Sequence, residues 1–485
     1  MKYRPSKWFL RVVLPVALLA GVLWFGVLPE MEDARALPVK GEIAFREKEV
    51  PLKETGTYRS TAVLPPMTRL KQWMDISLND LMRWEHNPWK RSGNELYPGG
   101  HYQEMLGSKD PKERAKAMEI QRLAEAWMKR LMERYPELAV TPRPVPDERN
   151  GFLKWLEFSD RRKELAGAES SNMGLPKSLT DYLAGNAPWN PAAAREWLAA
   201  NAGLMAEVRA ISALEEASSD GIPVERYGFI HARLAKEAAD VLMMEARLAV
   251  ESGDVASAME SFAAVQGLIH HLSGVESPTL LHGTVSILLQ LNLEKRFFSE
   301  ILPSLQQDNR NLAGWESLVN PQMHSPAEYA RLMRGEWSVG VRQWILPAVL
   351  DSEDPLAIRD GGDLIDVFSL PYREAVLAYG NAKWSDKQPV LSDPADVARG
   401  LTLASQSMVS QLMIGAEAWR KGMAKSQHSR GLNQAAFQIL KGNTAPVDPV
   451  WGKRYEWDPA TRTLSMPASP EFEGMDIKPV VLPKM

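Results

Sequence analysis

The side chains best equipped for chemistry are eight histidines, at positions 86, 101, 231, 270, 271, 282, 324 and 428. A zinc hydrolase of the H-E-x-x-H type sets two imidazoles one helical turn apart with a glutamate as base between them. A di-iron bundle sets a glutamate three residues before a histidine. Neither spacing occurs here. His270 and His271 are adjacent, so on a helix they point about 100° apart and do not share a metal simply. His231, His271 and His282 fall on separate predicted helices. An extracytoplasmic enzyme or metal-binding protein would have to bring them together across a packed core with Glu245 or Glu276. The absence of cysteine removes disulfides, thiol nucleophiles, thiolate zinc sites, iron–sulfur clusters and covalent haem. There is no Walker A loop, no G-x-G-x-x-G after a strand and no G-x-S-x-G elbow. The sequence therefore marks no catalytic, cofactor-binding or metal residue, and it implies no cofactor.

What such residues would sit on is a helical body, centred on residues 225–274. Tyr227, Leu234, Ala238, Val241, Leu242, Ala246 and Ala249 recur at helical spacing, as do Val255, Ala258, Met259, Phe262, Val265, Ile269 and Leu272. Gly253 can adopt the left-handed conformation that ends a helix, and Asp254 can cap the next by accepting a backbone N–H. A Gly-Asp break followed by Ala258 and Phe262 is the pattern of a tetratricopeptide hairpin.

The N-terminus predicts where this body sits. Lys2, Arg4 and Lys7 precede an apolar segment at 8–29, bracketed by Trp8 and Trp24 and followed by Glu30, Glu32 and Asp33. Its uninterrupted run from Val12 to Leu28 has the length of a short membrane helix. The positive-inside rule places residues 1–7 in the cytoplasm and the rest outside, as a single-pass inner-membrane protein with a periplasmic ectodomain. Ala34-Arg35-Ala36 has the form of a signal-peptidase site. It lies well past the apolar run, behind three acidic residues, which favours an uncleaved signal-anchor. The whole chain carries −4, and Lys2, Arg4, Lys7 and Arg11 are its only charges before Glu30, so the remainder carries −8. Such an acidic ectodomain disfavours nucleic acid and anionic lipid headgroups as partners.

After a proline-containing stalk at 30–66, helix signals run from 67 to 442. Asp110-Pro111 and Asn190-Pro191 pair a capping side chain with a proline suited to the first turn. The second pair opens a long helix toward Ser218. Further helices are predicted at 147–165, 178–183, 278–302, about 326–350 and about 363–383, with Gly361-Gly362 as a boundary. The 278–302 helix carries its apolar face on Leu280, Leu281, Val285, Leu288, Leu289 and Leu293. A last helix from Ser392 reaches Leu440 with a break near Ser429–Gly431. Arg161-Arg162-Lys163 and Arg420-Lys421 read as solvated helix faces. The tail, 443–485, differs: Tyr455 and Trp457 alternate with Leu464 and Met466 around a 458–461 turn, as a β-hairpin does, and 468–485 reads as a loose terminus. An isolated hairpin is marginal, so it must dock on the helices. The predicted fold is mainly α: a multi-helix bundle or α-solenoid-like body with a TPR-like hairpin and a small C-terminal β-hairpin, after a transmembrane helix.

Four stretches, Pro146–Asn150, Trp197–Ala202, Leu248–Ala258 and the D-P-x-x-G-K turn Asp448–Lys453, resemble those of a family of bacterial proteins. That family has one N-terminal membrane helix, an all-α ectodomain and a short C-terminal strand module. The chain departs from its H-G-x-x-P segment, carrying KGNTAP at 441–446 instead. The resemblance implies architecture and lends no activity. The resulting expectation is a membrane-anchored scaffold or protein-interaction module with protein partners, and the alternative is the histidine- and carboxylate-based enzyme or metal binder.

Overall fold

The structure, a computed structural model, describes residues 105–166, 173–222, 229–305, 311–319, 325–350, 355–382, 416–448, 452–467 and 477–483, with a few isolated positions besides. The anchor at 8–29, the stalk, His86, His101 and His324 lie outside them, as does the side chain of His231. None of the described helices is long and apolar enough to cross a membrane. The described chain is mainly helical, with thirteen α-helices and three short strands. It divides into two compact units.

The first unit comprises residues 1–138, 337–374 and 389–414. Its helix α1 (Pro111–Arg134) starts as the sequence predicts: the Asp110 carboxylate accepts the N–H of Lys112, and Pro111 occupies the first turn. The end of α1 is fixed by charge. Arg134 donates to both oxygens of Asp366, at 3.1 and 3.0 Å, and the Tyr135 hydroxyl donates to the same carboxylate. Arg373 pairs with Glu137 beside them.

The second unit comprises residues 139–336, 375–388 and 415–485 and holds the largest core cluster. In chain order it contains α2 (Gly151–Ala166), α3 (Lys177–Leu183), α4 (Pro191–Ala200), α5 (Ala202–Ser212), α6 (Phe229–Glu251), α7 (Val255–Ser273), α8 (Leu280–Arg296) and α9 (Leu312–Val319). Helix α10 (Pro326–Gly340) begins in it, and α13 (Ala416–Leu440) closes its helical part. The two remaining helices are α11 (Leu346–Leu350), in the first unit, and α12 (Pro355–Tyr379).

The predicted central hairpin is α6 and α7. Gly253 has φ +83°, and Asp254 caps α7 by accepting the Ser257 N–H at 3.0 Å and its hydroxyl at 2.7 Å. Ala238, Val241, Leu242 and Ala246 of α6 and Ala258, Phe262 and Val265 of α7 are fully buried in one cluster. The alanines bring the two helices close along most of their length, and each buried Val, Leu or Phe stabilises by about 1.5–3 kcal/mol. α7 packs against α5 and α8 as well, so the hairpin is the middle of the unit.

Several boundaries differ from the sequence reading. The helix predicted from 190 toward 218 is two helices, broken at Asn201, whose side chain turns back to the Trp197 carbonyl at 2.8 Å. Gly361, with φ 17° and ψ −102°, is non-helical and divides α12 at a kink, the helix boundary the sequence reading places at Gly361-Gly362. α8 passes at its end into a π-helical turn, Phe297–Ile301. The break predicted near Ser429–Gly431 is absent, and α13 runs straight through. Gly431 serves close approach instead: a Cβ there would lie 2.5 Å from the Tyr455 hydroxyl.

That tyrosine belongs to the C-terminal sheet. β1 (Glu456–Asp458) and β2 (Thr463–Ser465) pair antiparallel with Trp457 opposite Leu464, the hairpin the sequence predicts. A third strand, β3 (Val480–Val481), adds to β2, so the terminus is not wholly loose. Two residues are too short for alternation to reveal them. Leu464, Leu482 and Tyr455 bury themselves in the helical core cluster, and β2 and β3 pack on α13.

Candidate functional site

Of the histidines singled out by sequence, the described side chains, His270, His271 and His282, each have a partner of their own. His271 is fully buried against Gly151, and its Nε2–H donates to the Leu214 carbonyl at 2.7 Å. Burial lowers its pKa to about 4, opposed by that hydrogen bond and aided by neighbouring His270, so the ring is neutral. His282 closes a capping box at the start of α8. Its Nδ1 sits 2.8 Å from the Thr279 hydroxyl, and its ring stands edge-on to Phe152. His270 reaches the Glu215 carbonyl from an exposed position. Glu245 accepts from Arg209 and from Ser261. Glu276 accepts the N–H groups of Arg143 and Ser219 and the Ser218 hydroxyl. Each carboxylate is thus committed to a different junction. Among the described residues no three His, Asp or Glu side chains form a metal-binding group.

Two other features carry more. The first is a groove of about 260 Å³ between α3 and the first turns of α6. Leu175 and Leu183 give it an apolar floor, and Arg233, Lys236, Glu237 and Asp240 line its α6 wall. The charges pair along the helix, Arg233 with Glu237 at 3.1 Å and Lys236 with Asp240 at 2.8 Å. They are not equally exposed. The acids are turned inward, where Glu237 accepts the Met173 N–H and Asp240 accepts from Asn292, while the two cations stay about half exposed. The other face of α3 is clamped: the Tyr182 hydroxyl donates to Glu300 at 2.7 Å and accepts from Arg247 and Arg296 at 2.9 and 3.0 Å. Glu300 lies in the π-helical turn that follows α8.

The second feature is a polar seam inside the core, where α8 meets α13. Gly283, Ser286, Gln290 and Glu294 follow one another at three- and four-residue spacing and are all buried. Glu294 is 1% exposed. One of its oxygens accepts from Gln290 at 2.8 Å and lies 3.4 Å from Nε of Arg430; the other accepts from Asn433. Arg430 and Asn433 stand one turn apart on α13, and both are buried. Gln290 also donates to the Val319 carbonyl at 2.5 Å, and Gln266 of α7 donates to Gln290 at 3.0 Å and to the Leu318 carbonyl at 2.7 Å. Burial raises the Glu294 pKa to about 7 against the pull of Arg430, Gln290 and Asn433. Burial also lowers Arg430, opposed by Glu294 and by Glu328 of α10. A perturbed carboxylate of this kind marks a group able to hold or release a proton near neutrality.

Sequence reading by apolar period misses this seam. It places Leu281, Val285 and Leu288 on the inward face of α8, yet Leu288 is 52% exposed, and the inward face includes Gln290 and Glu294. A signal existed in the polar residues themselves, since 283, 286, 290 and 294 also keep helical register.

Comparison with family models, with curated proteins and with solved structures finds no match to this chain.

Proposed function

We propose that this chain is a membrane-anchored, extracytoplasmic helical scaffold that binds protein partners, held to the bilayer by residues 8–29 with its N-terminus in the cytoplasm. The family resemblance in the strand-module turn and the central hairpin supports the same architecture. One observation carries the reading: α6 forms a tight helical hairpin with α7 across Gly253-Asp254, and its outward wall lines the groove beside α3. Stacked α-hairpins bind partners along such faces. An apolar floor under two half-exposed cations suits a segment that presents an aliphatic side chain beside carboxylates.

Photo-crosslinking amino acids at Thr180 and Lys236 of the full-length anchored protein test the groove, with Glu260, exposed on α7, as the control position. A discrete adduct at the first two positions, absent at Glu260 and lost with Leu183→Asp, is the expected result. Equal labelling at all three positions contradicts the reading. Reporter fusions after residue 66 test the topology, and activity of a cytoplasm-only reporter there overturns it.

A further inference from the structure

The seam between α8 and α13 is an unusual way to fasten a helix. The neighbouring contacts of α13 are apolar: Phe437 stacks on Phe297 with ring centroids 5.2 Å apart, and Leu432, Ala436 and Leu440 join the main core. Into this apolar packing the chain inserts a carboxylate that is only 1% exposed. From α13 come Arg430 and Asn433; from α8 itself, Gln290; from α7, Gln266. The end of α9 contributes the backbone carbonyls of Leu318 and Val319, which accept from Gln266 and Gln290. α10 contributes Glu328, which acts on Arg430, and Arg331, which feels Glu328 and Glu276. Glu294 and Glu328 thus both act electrostatically on one buried guanidinium.

We infer that Glu294 is a proton-operated latch: proton uptake by its carboxyl fastens α13, and the C-terminal sheet that rides on it, to α8, and proton release loosens that attachment. The geometry supports both states. The neutral acid keeps acceptor oxygens for Gln290 and Asn433. Arg430 then keeps Glu328 as its remaining counter-charge. Release of the proton leaves an anion whose attraction to Arg430 only partly offsets its lost hydration. Nothing covalent changes, and one proton passes between carboxyl and solvent. The sheet follows because β2 and β3 pack on α13 and Tyr455, which donates to Asp448, sits against Gly431. This latch is independent of the groove and of the partner-binding reading.

The absence of native cysteine allows a clean test. Single-cysteine variants Ser426→Cys, in α13, and Ala258→Cys, in the central hairpin, are made in full-length protein in detergent, each with Glu294 and with Glu294→Gln. Thiol-labelling rates between pH 6 and pH 8 are divided by those of the unfolded chain. The Ser426→Cys ratio is expected to rise at least tenfold with Glu294 and to stay flat with Glu294→Gln, while Ala258→Cys stays flat in both. Hydrogen exchange of the unmodified protein needs no variant, and protection at 416–440 is expected to fall over the same range while 229–273 does not change. Labelling and exchange at α13 that ignore pH, or a pH response that survives Glu294→Gln, overturn the inference.

Discussion

The α6–α7 hairpin and the α8–α13 seam share one core cluster yet are fastened by opposite means. The hairpin is joined mainly by alanines, valines, leucines and Phe262, and its few buried polar side chains, Asp240, Ser261 and His271, are each hydrogen-bonded, to Asn292, Glu245 and the Leu214 carbonyl. The seam places Glu294, Arg430, Gln290 and Asn433 where the hairpin places aliphatic side chains. Apolar burial depends little on pH, whereas a buried carboxylate ties packing to proton binding. The difference teaches that this body has a fixed middle and a conditional edge, and that the edge carries the C-terminal sheet.

The largest way to break the comparison is Phe262→Ala. Its ring meets Phe297 and Trp315 edge-on, with centroids 6.4 and 5.1 Å away. Its loss should cost about 3–5 kcal/mol, by the transfer and cavity terms of a large core residue. Denaturant unfolding should show that cost equally at pH 6 and pH 8.

Next in size is the pH dependence. Glu294 is raised to about 7 in the fold, so the folded protein favours the neutral form more than the unfolded chain does. Below the ordinary glutamate value both states hold the proton and nothing is lost. As pH rises from about 4.5 to 7 the unfolded chain ionises first, and stability falls by about 3 kcal/mol. His271 and His428, lowered to about 4 by burial, act in the opposite sense. Their contribution is complete above about 6.5 and is lost as pH falls toward 4, by about 3 kcal/mol each. Stability should therefore pass through a maximum, with Glu294→Gln removing most of the loss toward neutral pH and His271→Gln removing part of the acid limb. Chemical unfolding at half-unit steps of pH checks both slopes.

The smallest expected effect sharpens the fixed side. Gly253→Ala places a Cβ at φ +83° in the hairpin turn, at a cost of about 1 kcal/mol that is independent of pH. A small, pH-independent drop in Tm checks it.

Much of this body could be read from residues alone, because local rules decided it. Asp110-Pro111 and Asn190-Pro191 cap and open helices as their chemistry requires, and Gly253-Asp254 turns the central hairpin. Trp457 and Leu464 pair across the turn that their alternation predicts. What failed had tertiary causes. Leu288 keeps helical register with the core yet is exposed, because α8 turns Gln290 and Glu294 toward α13. Gly431 reads as a break and is a contact, since the reason for a glycine there is Tyr455, which lies beyond the end of α13. The candidate site was the least legible part. Its four polar residues come from helices about 140 positions apart, so no local spacing unites them. His271 and His282 are held instead by a backbone carbonyl and a capping box.

The most direct measurement is the titration of Glu294 itself. Glutamate labelled with ¹³C at the carboxyl carbon, in wild type and Glu294→Gln, isolates its resonance by difference. The carboxyl is expected to titrate near pH 7, accompanied by exchange broadening in α13 and none in α6 or α7. A midpoint near the ordinary value of about 4.5, or a carboxylate that stays ionised throughout, would contradict it.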